Sequence, residues 1–465
     1  MRLSASLMDL QDKRILIVGL GKSGIASAQF LQARGARVTV SDSKSPDQLR
    51  AEIPALLDRG IAVETGGHGE RTFRGQDLIV VSPGVPADVP QLVQARLHGV
   101  PIIGEIELAS QFLQGRILAI TGSNGKTTTT TLTGEILAAS GFPVVVGGNI
   151  GTPAVSLIEN TTPGSYVVLE ISSFQLETIQ TFQPSISCIL NITPDHLDRH
   201  RTFEAYVDAK ARIFENQKGT GYCVLNADDP AANQLTSRAR CPVLHFSRRK
   251  EVAAGAFVRD GKIFFRDEKS NQATEREILP VAEIPLKGAH NLENVLAAVC
   301  LASLSGCTPE SIRQAVRAFK AVEHRLEFVA EIAGVSYYND SKATNVDATI
   351  KALESFPANI HLILGGKDKG SNYSVLNDLL RQRVKRVYTI GAAAEKIEGQ
   401  IDDAVEIFAA GTLENAVRRA TTTAVPGDVI LLAPACASFD QFQSYEHRGR
   451  VFKDVVKALA DAQDR

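Results

Sequence analysis

The chain has 465 residues, 22% of them charged and 44% hydrophobic, with a net charge of -2, which points to a soluble globular protein of about three domains. That charge balance provides no polybasic footprint, so neither a nucleic-acid partner nor attachment to an anionic membrane is expected. No apolar run approaches the roughly 20 residues of a membrane span, and the opening MRLSASLMDLQDKR lacks a signal peptide's apolar core, so a cytoplasmic protein is expected.

The first segment alternates short β-rich runs (ILIVG, RVTVSD, AVETGG, DLIVVSPG, PIIGE) with helical patterns, the beat of a parallel sheet with crossover helices. Its first strand runs into Gly19-x-Gly21-x-x-Gly24, where glycines permit a tight turn and the next helix aims free N–H groups at a phosphate. Asp42 closes the second strand, where such folds place a ribose-binding acid. The fingerprint alone leaves NAD, FAD and other phosphate ligands open. EIELASQFLQGR is expected to be a helix and connector ending near residue 114.

A second α/β unit opens with ILAITGSNGKTTTTTLTGEILAAS, a strand, then Gly122-x-x-Gly125-Lys126-Thr127, then a helix with apolar Leu132, Ile136 and Leu137. This is the arrangement in which backbone N–H groups cradle phosphate oxygens, a lysine neutralises them and a hydroxyl meets Mg²⁺. Ile120 stands where the full pattern has its first glycine. Two further strands end in Glu170 and in Asn191, with Asp195 and His196 just beyond, and in a parallel sheet such ends share the edge that the phosphate loop leaves.

His196 and His200, four residues apart, have the spacing of a zinc helix, but Thr193-Pro194 reads as an N-cap and first-turn proline and no soft ligand accompanies them. The six cysteines form no C-x-x-C pair and are expected to pack. Between residues 241 and 285 the runs PVLHFS, GAFVRDG and KIFFRDE suggest a small antiparallel excursion, after which GAHNLENVLAAVCLASLSG reads as a helix with a glycine stop. A third α/β unit is expected to begin at VSYYND and to continue through HLILGG, RVYTIG, VEIFAAG and DVILLAPA. The fold expected is therefore three consecutive α/β domains: Rossmann-like 1–114, a central P-loop-type ATPase domain 115–323 carrying the excursion, and Rossmann-like 324–465.

TGSNGKTTTT, GGNIG, LEISSFQLE, NITPDHLDRH, GAHNLENVLAA, EHRLE, NDSKATN and LGGKDKG follow one another in an order that resembles the Mur ligases and their folylpolyglutamate synthetase relatives, over nearly the whole chain. The ending LLAPACASFDQFQSYEHRG resembles the D-glutamate-adding branch. The resemblance implies an ATP-dependent amide ligase of cytoplasmic peptidoglycan precursor synthesis, monomeric, with UDP-N-acetylmuramoyl-L-alanine and D-glutamate as substrates and an acyl phosphate as intermediate. It also implies two Mg²⁺ sites.

By matching positions, Gly122, Ser123, Asn124, Gly125, Lys126, Thr127 and Thr128 hold ATP phosphates, Thr127 and Glu170 bind one Mg²⁺, and His196 binds a second. Asn149, Ser172 and Gln175 line the acceptor's reacting end; Asn294 approaches the base, Arg325 the phosphates and Asp340 the ribose of ATP. Thr344, Lys367, Ser438 and Tyr445 resemble the D-glutamate pocket, and the amino-terminal fingerprint then holds the UDP moiety through Gly21, Lys22, Ser23, Asp42, Ser43 and Gly84. Lys210 matches the family position that carries a carbamate formed from CO₂, an anionic oxygen ligand suited to Mg²⁺ whose formation needs the neutral amine that burial favours.

Two positions depart from the family pattern: Ala433 where Ser is common, and Tyr445 where Phe is usual. GGKDKGSNYS occupies the region of the D-N-P-R motif of the diaminopimelate- and lysine-adding members, which disfavours those activities. An NAD-dependent dehydrogenase would leave the phosphate loop, Glu170 and the last domain without purpose; a nucleotide switch without ligase chemistry is a further alternative. The third domain is expected to close over ATP, with hinges near residues 115 and 325.

Overall fold

The runs ILIV and LIVV are apolar at every position, as strands covered on both faces must be. In the computed structural model, which describes residues 9–219, 221–269, 272–320, 322–401 and 403–463, they are β1 (Arg14–Val18) and β4 (Leu78–Val81) of the first sheet. With β2 (Arg37–Asp42), β3 (Ala62–Thr65) and β5 (Ile102–Gly104) they form a parallel sheet of order β3-β2-β1-β4-β5. Alternate residues face opposite ways: Ile15, Ile17, Val38 and Val40 join one core, while Leu16, Val18, Ile79 and Val81 join another with Phe73 and Leu92.

The second sheet comprises β6 (Arg116–Thr121), β7 (Val144–Gly148), β8 (Tyr166–Glu170), β9 (Ile186–Ile189), β10 (Tyr222–Asn226), β11 (Val243–Ser247), β12 (Gly255–Arg259), β13 (Lys262–Lys269) and β14 (Gln272–Pro280). Its order is β14-β13-β12-β11-β10-β9-β6-β8-β7. The expected antiparallel excursion needs correction. PVLHFS is a parallel addition to the main sheet, whereas GAFVR, parallel to it on one side, pairs antiparallel with β13 on the other, and β13 pairs antiparallel with β14, so the excursion is antiparallel from β12 onward. The return from β11 to β12 is short because Gly255 pairs with His245, in the middle of β11, so the chain steps back only two residue pairs from Ser247. Gly255 has φ +122° and lies so close to the His245 carbonyl that a Cβ would sit 1.8 Å from its oxygen.

These two sheets belong to one compact unit, Met1–Pro194, Arg199–Pro280 and Asn294–Val316. One core cluster runs from Ile15 and Phe30 through Ile106 to Ala119 and Val167. The connector helix Glu105–Ser110 carries two buried carboxylates that fasten the sheets together. Glu105 accepts the Val155 amide at 2.8 Å, and Glu107 accepts the amides of Gln180, Thr181 and Phe182 at 2.8, 2.8 and 3.0 Å. The articulation expected near residue 115 thus lies inside this unit, whereas the one near 325 lies close to the change of unit between Val316 and Arg317.

The other unit comprises Asp195–Asp198, Val281–Glu293 and Arg317–Arg465. Its sheet, β15 (Glu327–Ile332), β16 (Val335–Asn339), β17 (Ile360–Gly365), β18 (Val384–Ile390), β19 (Glu406–Gly411) and β20 (Val429–Leu432), has the order β15-β16-β20-β17-β18-β19. It begins one strand earlier than expected. Ala333 and Gly334, at φ +50° and +76°, make the tight turn that folds EFVAEI back antiparallel on VSYYN. The six cysteines are buried and free, and no described helix is long and apolar enough to cross a membrane.

Candidate active site

The turn after β1 is built by glycines with separable tasks. Gly19 has φ +94°, and a Cβ on Gly24 would lie 1.9 Å from the Gly19 oxygen, so the helix Lys22–Ala33 can start directly against the turn only without a side chain there. Gly21 has nothing within 4 Å of its missing Cβ, which leaves the approach to the first helical amides open. Asp42 is buried and accepts the amides of Leu20 at 2.6 Å and Lys44 at 2.8 Å, bracing the turn.

All six residues expected at the nucleotide of the acceptor, Gly21, Lys22, Ser23, Asp42, Ser43 and Gly84, line one cleft of about 510 Å³. The cleft also contains His68, Ser82 and Lys44, which sequence reasoning missed. Ser82 donates to the Gly19 oxygen at 2.8 Å, and His68 meets Ser41 at 2.8 Å. Ser82 could have been found from the SPG turn; His68 lies in a glycine-rich link whose course only the fold fixes. A second cleft of about 710 Å³, lined by Phe73, Arg74, Gln91 and His98, contains none of the expected residues.

In the central sheet, β6 runs into the loop Gly122–Gly125 and the helix Lys126–Ala139. Gly125 caps that helix at φ +85°, and its missing Cβ is where Asn294 places Oδ1, only 2.1 Å away. Asn294 thus sits at the phosphate loop, with Thr129 donating to it at 3.4 Å. Asn191, at the end of β9, clasps Asn124 by both its amide nitrogen and its carbonyl at 2.8 and 3.1 Å, and Ser123 donates to the Thr193 carbonyl at 3.0 Å. Lys126 Nζ folds over its own loop and donates to the Gly122 and Ser123 carbonyls at 2.9 and 3.0 Å.

Thr127 donates its hydroxyl to Glu170 Oε2 at 2.8 Å, and Asn149 donates to Glu170 Oε1 at 3.0 Å. Glu170 is buried at the end of β8. A hydroxyl and a carboxylate converging beside a phosphate loop are hard oxygen donors of the kind Mg²⁺ prefers, so this pair fits the ion. Ser172 and Gln175 hold each other in a capping box at the start of the helix Ser173–Leu176, Ser172 N donating to Gln175 Oε1 at 2.9 Å. Lys210 is buried, donates to the Gly122 carbonyl at 2.7 Å and lies 4.5 Å from the centre of the Tyr206 ring. Burial of this lysine beside the phosphate loop is the environment that favours the neutral amine needed for the carbamate expected there.

His196 and His200 do not share a helix, which begins only at Leu197. His200 is buried, bonded to Ser173 at 3.0 Å and 3.4 Å from Glu177, and stacked on Phe174. The helix starts at Leu197 rather than at Pro194, because His196 adopts φ +54° and its amide donates to Asp195 at 2.9 Å. His196 belongs to the unit that contains the third sheet.

In that unit Asp340 leaves the end of β16 with Arg325 close by, and it accepts the Leu326 amide at 3.3 Å. Burial pushes the Asp340 carboxyl up to about 7, against the opposing pull of the Arg325 guanidinium and that amide. Lys367 exchanges backbone hydrogen bonds with Ala437 at 2.8 and 3.1 Å, next to the buried Ser438. Thr344 follows Ser341 and Lys342, whose partners are the Tyr445 carbonyl at 2.8 Å and the Tyr445 ring at 5.0 Å. The loops carrying Lys367 and Ser438 are therefore joined, as are those carrying Thr344 and Tyr445. Glu323, His324 and Glu327 also cluster there, with the Lys453 ammonium bridging the two carboxylates at 2.8 and 2.7 Å.

Three family models match in succession: Mur ligase MurD-like, N-terminal domain, over 13–104; Mur ligase middle domain over 120–302; and Mur ligase, glutamate ligase domain, over 324–436. The chain belongs to the Mur ligase family. This Mur ligase is 65% identical over 458 residues to a Koribacter versatilis protein named UDP-N-acetylmuramoylalanine--D-glutamate ligase, covering 98% of this chain and 100% of that one. A protein of the same name from Acidobacterium capsulatum is 62% identical, with 97% of each covered.

Among solved structures, the Mur ligase resembles the UDP-N-acetylmuramate-alanine ligase MurC of Thermotoga maritima, with a TM-score of 0.59 at 21% identity, covering 96% of this chain and 99% of that one. It also resembles the MurF ligase of the same organism, solved with ADP, with a TM-score of 0.60 at 17% identity and 97% of each covered. Both likenesses concern the fold.

Proposed function

We propose that this Mur ligase joins the amino group of D-glutamate to the L-alanyl carboxylate of UDP-N-acetylmuramoyl-L-alanine, coupled to cleavage of ATP to ADP and phosphate, in peptidoglycan precursor synthesis. The observation that carries the reading is the 65% identity, from end to end, to a ligase of that name. The site chemistry agrees with it. A carboxylate and an ammonium do not condense readily in water, so the carboxylate oxygen first attacks the γ-phosphorus of ATP and ADP departs. The neutral amine of D-glutamate then attacks the acyl carbon of the resulting mixed anhydride, and phosphate leaves as the amide forms.

Both steps need charge neutralised and reactants aligned more than they need covalent help. The amides of the 122–128 loop and Lys126 hold the phosphates, Lys126 exchanging its carbonyl partners for phosphate oxygens. Thr127 and Glu170 would hold Mg²⁺, with a carbamate on Lys210 as a further oxygen ligand and His196 as a ligand of a second ion. The ion supplies neutralisation of the phosphate charge. Asn149, Ser172 and Gln175 present the acceptor's carboxylate, and Asn294, Arg325 and Asp340 orient the nucleotide.

The first cleft takes the UDP part of the acceptor, so the Gly-x-Gly-x-x-Gly turn meets a diphosphate that is not a dinucleotide cofactor's. Thr344, Lys367, Ser438 and Tyr445 take D-glutamate. A cytoplasmic monomer is the setting, where ATP and the nucleotide-linked acceptor occur together.

The test is the substrate dependence of ADP release. Release should require both UDP-N-acetylmuramoyl-L-alanine and D-glutamate and should fail when L-glutamate, L-alanine or meso-diaminopimelate replaces D-glutamate. An ATPase indifferent to both substrates would make the chain a nucleotide switch, and hydride transfer from NADH without ATP would make it a dehydrogenase.

A further inference from the structure

Arg448 has no solvent exposure, and the acceptors of its guanidinium are carbonyl and hydroxyl oxygens rather than a carboxylate. It lies one turn along the helix Tyr445–Gln463 from Tyr445, on the side turned into the unit. Nε donates to Ser341 Oγ at 2.9 Å and Nη2 to the Ser341 carbonyl at 2.7 Å; Nη1 and Nη2 both reach the Cys436 carbonyl at 3.2 Å, and Nη1 reaches the Ala437 carbonyl at 3.5 Å. One planar, rigid fork thereby ties the segment leading to Thr344 to the segment leading into Ser438. Burial lowers the guanidinium to about 10, so it remains a cation at neutral pH.

A second tie meets the same loop from the opposite direction. The Tyr373 hydroxyl donates to Asp368 at 2.8 Å and lies 3.0 Å from Cys436 Sγ, while Lys396 holds the other Asp368 oxygen at 2.7 Å. Asp368 directly follows Lys367. Three loops that are remote in sequence are thus registered on Cys436 and Ser341.

We propose that Arg448 is a positioning residue for D-glutamate: it fixes the mutual register of the loops carrying Thr344, Lys367 and Ser438, and so sets affinity for the amino-acid substrate without touching it. The proposal rests on the assignment of those loops to D-glutamate. A buried cation held by neutral oxygens is costly to keep unless its geometry is used, and five directed hydrogen bonds to two loops are that use.

The test measures KM for each of the three substrates, with thermal midpoints, in Arg448→Met, Arg448→Lys and Arg448→Ala. The KM for D-glutamate should rise about tenfold or more in Arg448→Met and less in Arg448→Lys, while those for ATP and the acceptor stay within about twofold. Added guanidinium should lower the D-glutamate KM of Arg448→Ala. Should Arg448→Met fail to fold, the split in Arg448→Lys decides by itself.

Ser438→Ala tests the underlying assignment separately. If it leaves the D-glutamate KM unchanged, the pocket assignment falls and the proposal with it. If it raises that KM while the Arg448 variants weaken all three substrates alike, only the positioning role is overturned.

Discussion

Asp340 is a carboxyl whose titration falls in the working range. Burial raises it from an ordinary 3.8 to about 7, so the stability that its protonated form contributes is complete below pH 3.8 and is lost as pH rises through 7. The ionised form is the stronger acceptor for the ribose hydroxyls expected at this position. The KM for ATP should therefore rise as pH is lowered from 8 to 6, and Asp340→Asn should flatten that rise; an unchanged profile in the variant would remove Asp340 from the nucleotide. At Lys210, an enzyme equilibrated with ¹³C-bicarbonate should show a carbamate resonance that Lys210→Ala lacks, and that variant should lose about 100-fold in activity. Wild-type spectra without the resonance would exclude the modification.

The two glycine turns can be separated by substitution. In Gly24→Ala the new Cβ would meet the Gly19 oxygen at 1.9 Å, so affinity for the UDP-linked acceptor should fall at least about tenfold, about 1.4 kcal/mol, with the KM for ATP unchanged. Gly125→Ala, at φ +85° against Asn294, should give the reverse pattern. Steady-state KM values check both, and equal effects on the two substrates would contradict the assignment.

The connector helix carries its own pH signature. Burial pushes the Glu105 carboxyl from 4.5 to about 7, although the Val155 and Ala154 amides pull it down. Its contribution to stability is present in full below pH 4.5 and is lost as pH rises through 7. Urea unfolding from pH 5 to 8 should show Glu105→Gln gaining on the wild type as pH rises, by up to about 3 kcal/mol. A gap independent of pH would mean that Glu105 is already ionised throughout this range.

Across the whole molecule, each ligand should protect its own set of loops from hydrogen exchange. The acceptor should protect 19–25, 41–44 and 82–86, and ATP 120–130 and 166–170. D-glutamate added with both should protect 340–344, 366–370 and 436–448. Protection of 19–25 by ATP alone would overturn the division of labour.

Much of this was legible because it is local. A strand, a glycine turn and a helix start are written within a dozen residues, since backbone dihedrals and burial period depend on near neighbours. The three sheets, the phosphate loop, the strand-end Glu170 and the glycine turn with Asp42 were readable on that ground, and the family resemblance added the other residues expected in the first cleft and the reaction. The parallel entry of β11 and β12, the hairpin of β15 and the late start of the Leu197–His200 helix were not, because each turns on a positive-φ backbone conformation, at Gly255, at Ala333-Gly334 and at His196, that the surrounding pattern of residues does not announce.

By itself, then, the sequence determined which segments could bind phosphate and which chemistry they serve. Only the tertiary structure decided that Lys210 donates to the Gly122 carbonyl, that His68 joins the first cleft, and that Arg448 reaches Ser341 across 107 positions. Such contacts depend on how distant segments pack, and no local periodicity encodes them.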